Sequence, residues 1–63
     1  MNKTEFFVEI KTLMWGRTKP TFDTLPEALE YYNEKKNKGY QVRIIKRTWL
    51  NEKECNEEVL RID

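Results

Sequence analysis

At 63 residues the chain has room for one small domain, and its net charge of +1 lacks the basic excess of a dedicated nucleic-acid binder. Charged residues make up 37% of it, but two tryptophans, three tyrosines and three phenylalanines argue for a packed fold rather than disorder. With Cys55 alone and no histidine, neither an intrachain disulfide nor the usual zinc patterns are available, and a reduced, cytoplasmic setting is the expectation. Residues 6–10 are too short, and too interrupted by Glu9, for a signal-peptide core, and no stretch approaches the length of a membrane span.

Residues 4–15 alternate. Phe6, Val8, Ile10, Thr12 and Met14 share one face; Phe7, Glu9, Lys11, Leu13 and Trp15 share the other. Period two with aromatic and β-branched residues predicts a strand, with its apolar content over 6–15. Gly16 then offers a turn, and residues 18–22 predict a short return strand. Pro20 cannot donate a ladder hydrogen bond, so this strand belongs at an edge.

Thr24-Leu25-Pro26-Glu27 has the form of a capping box, with Pro26 in the first turn, where its missing N–H costs nothing. A helix is predicted over roughly 25–38. Leu25, Ala28, Leu29 and Tyr32 form its buried stripe, while Glu27, Glu30, Glu34 and Lys38 point away. Lys35, Lys36 and Lys38 suit the negative end of the helix dipole, and Gly39 suits a left-handed residue just past the helix end.

Residues 40–50 predict the next strand, Asn51-Glu52-Lys53 a hairpin loop, and residues 55–62 the last strand. A pairing centred on Glu52 sets Val42 opposite Ile62, Ile44 opposite Leu60, Ile45 opposite Val59, Lys46 opposite Glu58 and Arg47 opposite Glu57. Apolar and oppositely charged pairs emerge together, which favours this register over a one-residue slip. The expected architecture is α+β in the order β(β)αββ, a single domain over 1–63 with one helix on one face of a small antiparallel sheet. The expected core is Phe6, Val8, Leu25, Leu29, Tyr32, Val42, Ile44, Leu60 and Ile62.

One helix covers one face. The other would carry Phe7, Leu13, Trp15, Ile45, Trp49 and Val59, laced with Lys11, Arg43 and Arg47, with little in the chain to cover them. A polar arm over 17–22 can screen such a patch only in part. An uncovered apolar face marks an interaction surface, and tryptophan and arginine dominate interface hot spots.

Catalysis has little to build on. The chain lacks histidine and serine, so the usual acyl-transfer triads are excluded, and the neighbours of Cys55 in sequence, Glu54, Glu57 and Glu58, are acidic, the opposite of the electropositive setting a reactive thiol needs. The acidic cluster Glu52, Glu54, Glu57 and Glu58 lacks the spacing and glycine of a calcium loop, and reads better as the partner of a basic strand. Gly16 and Gly39 are the only glycines, too few for a phosphate-cradling loop. No enzyme, no metal and no cofactor are expected. A basic segment over 35–47, containing Lys35, Lys36, Lys38, Arg43, Lys46 and Arg47 with Tyr40 between them and Trp49 close by, has the composition of a nucleic-acid surface. Its ordinary reading is a helix C-terminus followed by a strand whose cations face Glu57 and Glu58.

The segments Thr21-Phe22-Asp23-Thr24-Leu25-Pro26-Glu27-Ala28 and Gly39-Tyr40-Gln41-Val42-Arg43-Ile44-Ile45 together resemble short uncharacterised accessory proteins of bacteriophages and mobile elements, in which a capped helix feeds a Gly-Tyr-x-Val strand. The resemblance covers about half the chain, and its motifs are structural punctuation rather than chemistry. It implies a small protein that binds and inhibits a host protein. The expected function is therefore a non-enzymatic binding protein that occludes a partner surface through Phe7, Leu13, Trp15, Arg43, Ile45, Arg47 and Trp49. Its partner would be a host protein or a second copy. The alternative is a nucleic-acid-binding regulator using the basic segment. No membrane partner is expected.

Overall fold

The structure, a computed structural model, describes residues 3–63. Its elements are β1 (Lys3–Lys11), β2 (Trp15–Phe22), α1 (Leu25–Asn37), β3 (Gln41–Trp49) and β4 (Cys55–Ile62). The four strands form one antiparallel sheet in the order β2-β1-β3-β4, with α1 on one face. This is the α+β arrangement that the alternation and the single amphipathic helix imply.

The alternation over 6–15 belongs to two strands rather than one. β1 ends at Lys11, the backbone turns through Thr12, Leu13 and Met14, and Trp15 opens β2 opposite Lys11. A turn at Gly16 would leave only a short return strand; the earlier turn gives β2 eight residues, five of them paired with β1. Apolar residues at the hairpin tip imitate a continuing strand, which is why period two alone misses the break. Pro20 lies on the edge strand, as its missing N–H requires. The β1–β2 ladder shifts between Phe7 and Glu9, and there the Thr18 hydroxyl donates to the Val8 carbonyl at 2.6 Å, supplying the acceptor with a partner.

At the start of α1 the Thr24 hydroxyl donates to Glu27 Oε1 at 2.7 Å. The two capping-box side chains thus pair with each other rather than with the backbone N–H groups expected of them. The other end follows expectation. Gly39 has φ 96°, its N–H donates to the Lys36 carbonyl at 3.0 Å, and the Tyr40 N–H donates to the Lys35 carbonyl at 3.4 Å. This is a Schellman ending, and it needs a residue that tolerates positive φ. Gly39→Ala should cost about 1 kcal/mol, read as a lower urea midpoint; an unchanged midpoint would contradict that backbone assignment.

The core between helix and sheet holds Val8, Tyr32, Val42 and Ile44, flanked by Ile10, Leu29 and Tyr31. Ala28 is fully buried beneath the helix, and the Phe22 and Tyr31 rings pack with centroids 5.6 Å apart. Leu25, expected in this core, lies at its exposed margin.

The β3–β4 register is centred on Glu52 as expected from Ile45–Val59 to Trp49–Cys55, including Lys46–Glu58 and Arg47–Glu57. Beyond Ile45 it shifts by one. Ile44 faces Arg61, Arg43 faces Ile62, and Val42 exchanges both backbone hydrogen bonds with Asp63. The expected Val42–Ile62 and Ile44–Leu60 pairs do not form, because a bulge absorbs Leu60. The Tyr32 hydroxyl supplies the physical reason. It needs a polar partner beneath the helix, and the shift delivers the Asp63 carboxylate, which accepts its hydrogen bond. Lys36 reaches the same carboxylate at 3.3 Å, and the Arg61 guanidinium lies 5.7 Å from the Tyr32 ring. Leu60 and Ile62, expected in the core, are instead 39% and 58% exposed.

Candidate interaction surface

Cross-strand pairing decides what the helix-free face displays. Its middle row is Thr21, Phe7, Ile45 and Val59; the next rows are Arg17, Glu9, Arg43 and Ile62 on one side and Glu5, Arg47 and Glu57 on the other. Trp15 and Trp49 stand at opposite ends, opposite Lys11 and Lys3.

Phe7 is only 1% exposed and Ile45 only 4%, although no helix lies above them. Arginines form the cover. The Arg17 guanidinium sits 4.3 Å from the Phe7 ring centroid and that of Arg47 sits 4.8 Å away. Stacking a weakly hydrated guanidinium on a ring shields the apolar surface while the charge keeps access to water. The expectation of little cover, with partial screening by the 17–22 arm, is corrected at Phe7, which Arg17 of that arm and Arg47 of β3 cover together.

Carboxylates on the same face hold these arginines in place. Arg47 donates to Glu57 Oε2 through Nε at 2.8 Å and Nη2 at 2.6 Å, and its Nη1 lies 3.6 Å from Glu5. Partial burial alone would lower the Arg47 pKa, but the Glu57 hydrogen bond and the carboxylate charges of Glu57 and Glu5 outweigh it, so the net direction is up. Arg43 is gripped by Glu9, with Nε at 2.7 Å and Nη2 at 2.6 Å, and lies 4.4 Å from the Trp15 ring centroid. The Trp49 indole N–H donates to Glu5 at 2.9 Å, with Arg47 5.6 Å from the ring. The result is two clusters on one face, Trp15–Arg43–Glu9 toward one end and Trp49–Arg47–Glu5–Glu57 toward the other, with Trp15, Arg43, Arg47 and Trp49 each half-buried.

Of the seven residues expected to make contact, these four lie at the surface of this face, Arg43 beside Trp15 and Arg47 beside Trp49. Phe7 and Ile45 lie beneath them. Leu13 sits at the β1–β2 hairpin tip, 97% exposed and off the sheet. Arg17, Glu5 and Glu9 were not singled out by the sequence reading. Arg17 was accessible to it, since alternation from Trp15 puts it on the same face. Ile62 was not, because it reaches this face only through the bulge.

The basic segment does not act as one surface. Lys35, Lys36 and Lys38 lie at the end of α1: Lys36 pairs with Asp63, Lys38 lies 3.6 Å from Glu34, and Lys35 lies 5.2 Å from the Tyr31 ring. Arg43 and Arg47 are on the opposite face and paired. Cys55 stands opposite Trp49 with a free thiol. Among the described residues no group of three or more Cys, Asp or Glu side chains is arranged to hold a metal ion. An open depression of about 480 Å³ lies beside Trp49, lined by Lys3, Leu50, Asn51 and Glu52. Asn51 is already engaged there: its Oδ1 accepts from the backbone N–H groups of Lys53 and Glu54 at 2.8 and 2.9 Å, which fixes the β3–β4 turn.

Among the described residues no helix is long and apolar enough to cross a membrane. Comparisons with protein-family models, with curated proteins and with solved structures find no match to this chain.

Proposed function

We propose that this chain is a small non-enzymatic binding protein that occludes a surface of another protein, in the manner of a phage-type accessory or inhibitor protein, and that its contact layer is Trp15, Arg43, Arg47 and Trp49. The observation that carries this reading is the carboxylate-anchored arginine–tryptophan layer on the helix-free face. Arginine and tryptophan are the residue types that dominate binding hot spots. Arg43, Arg47 and Trp49, held by Glu9, Glu57 and Glu5, lose little further rotamer freedom when a partner docks. The accessory and inhibitory role rests on the resemblance of the capped helix and its following strand to phage and mobile-element proteins.

The basic segment supports the nucleic-acid alternative less well. Its cations are divided between the helix end, the helix side of the sheet at Lys46 and the opposite sheet face, and Lys36, Lys38, Arg43 and Arg47 already pair with carboxylates.

The test is capture of the partner from the native cell with the tagged chain, followed by binding measurements on the purified pair. Trp15→Ala and Trp49→Ala should each weaken binding by about 2 kcal/mol or more, with modest salt dependence. Changing Lys35, Lys36 and Lys38 together to Gln should matter little. Loss of binding in the lysine variant, with affinity falling steeply as salt rises, would replace this reading with the nucleic-acid one.

A further inference from the structure

The two edges of the sheet are unequal. β2 is protected: it carries Pro20, and its ladder with β1 is interrupted. β4 has eight residues, no proline, and a run of exposed positions that includes Val59 (48%), Leu60 and Ile62. A long edge strand with exposed apolar side chains is a template for another strand. We propose that the occupant is β4 of a second copy, running antiparallel about a two-fold axis between Val59 and Leu60, so that the two sheets continue as one.

Three independent constraints meet in this register. Backbone direction is the first. Leu50 donates to the Glu54 carbonyl at 2.8 Å, and Val42 and Asp63 exchange both hydrogen bonds, so these β4-side groups point inward to β3. Antiparallel alternation then turns the N–H and C=O groups of Glu57, Val59 and Ile62 outward. The proposed axis sets Glu57 opposite Ile62 of the second copy, joining two residues whose backbone groups are both free.

Side-chain direction is the second constraint. The bulge at Leu60 reverses the alternation, so Glu57 and Ile62 share the helix-free face while Glu58 and Arg61 share the helix face. In the proposed register Glu57 meets Ile62 on the helix-free side and Glu58 meets Arg61 on the helix side.

Charge is the third. Glu58 falls opposite Arg61 of the second copy, twice by symmetry, in a pair without backbone hydrogen bonds, where side chains approach more closely. Glu58 enters none of the ion pairs formed among the described residues. Moving the axis to lie between Leu60 and Arg61 keeps the backbone phase but sets Glu58 against Asp63, which repels. One strand edge is a small interface compared with the ~1,600 Å² of a standard one, so the dimer should be weak and concentration-dependent.

Sedimentation equilibrium of the full chain, with reductant present to exclude a Cys55 disulfide, tests this. The wild type should associate reversibly to a dimer. Arg61→Glu and Glu58→Arg should each raise the dissociation constant roughly tenfold or more, and the double variant should return to the wild-type value. Should Arg61→Glu disturb Tyr32, as a weakened helix signal in circular dichroism would reveal, Glu58→Gln leaves the core untouched and should still weaken association about threefold. Trp49→Ala, on the separate arginine–tryptophan layer, should leave association unchanged, so this proposal and the proposed partner surface fail independently. A wild type that stays monomeric at its highest concentration, neutral charge variants, a double variant that does not recover, or dissociation by Trp49→Ala would each overturn the edge pairing.

Discussion

Phe7→Ala should leave the protein largely unfolded at 25 °C. The ring is fully buried between β2 and β3 neighbours on the face without a helix, and its loss removes both the packing and the platform for two guanidinium groups. Truncating a buried phenylalanine costs about 3–5 kcal/mol, and a domain of this size rarely has more than about 3–5 kcal/mol to lose. Urea denaturation followed by far-ultraviolet circular dichroism reads the effect. Arg17→Gln should be far milder, about 0.5–1 kcal/mol, since it removes one cation–π contact and keeps the ring. A Phe7→Ala variant with the wild-type midpoint would mean that the arginines do not make this face a second packed layer.

Ile44→Ala should be comparably damaging for a different reason. Ile44 lies under the helix in the same cluster as Val8, Tyr32 and Val42 and is fully buried. The cavity should cost about 2–5 kcal/mol. Ile62→Ala is the informative companion. In the unbroken register Ile62 would be an equal member of this core; with the bulge it stands exposed on the other face, and its truncation should stay within about 0.5 kcal/mol. Chemical denaturation of the two variants side by side checks the bulge, and equal losses would contradict it.

That contrast marks how far the sequence could be read. Alternation and the Leu25–Tyr32 stripe carry the α+β class, and Gly39 and Pro20 carry the helix end and the edge strand, because each rests on a local requirement of the backbone. The Lys46–Glu58 and Arg47–Glu57 pairs carry the register near the β3–β4 turn. The bulge was not legible there, since it answers a hydroxyl brought over from the helix: only tertiary packing sets Tyr32 beside Asp63. The β1–β2 turn was hidden because Leu13 and Met14 continue the apolar pattern through the hairpin tip.

The candidate surface divides along the same line. Trp15, Arg43, Arg47 and Trp49 follow from period two and share one face, as two tryptophan–arginine pairs. Phe7 and Ile45 belong to the same face by pattern, but both are buried, Phe7 beneath the stacked Arg17 and Arg47, and periodicity carries no information about that third dimension. Counting helices against sheet faces located an uncovered face; it did not anticipate that long cationic side chains would serve as its cover.

The most direct test of the binding surface is a nuclear magnetic resonance titration of the isotopically labelled chain with the protein that co-purifies with it. The account predicts that perturbations concentrate on the indole N–H groups of Trp15 and Trp49 and on the guanidinium Nε–H groups of Arg43 and Arg47, with the helix end at Lys35, Lys36 and Lys38 unmoved. Perturbations confined to that helix end, with both indole signals unchanged, would contradict it.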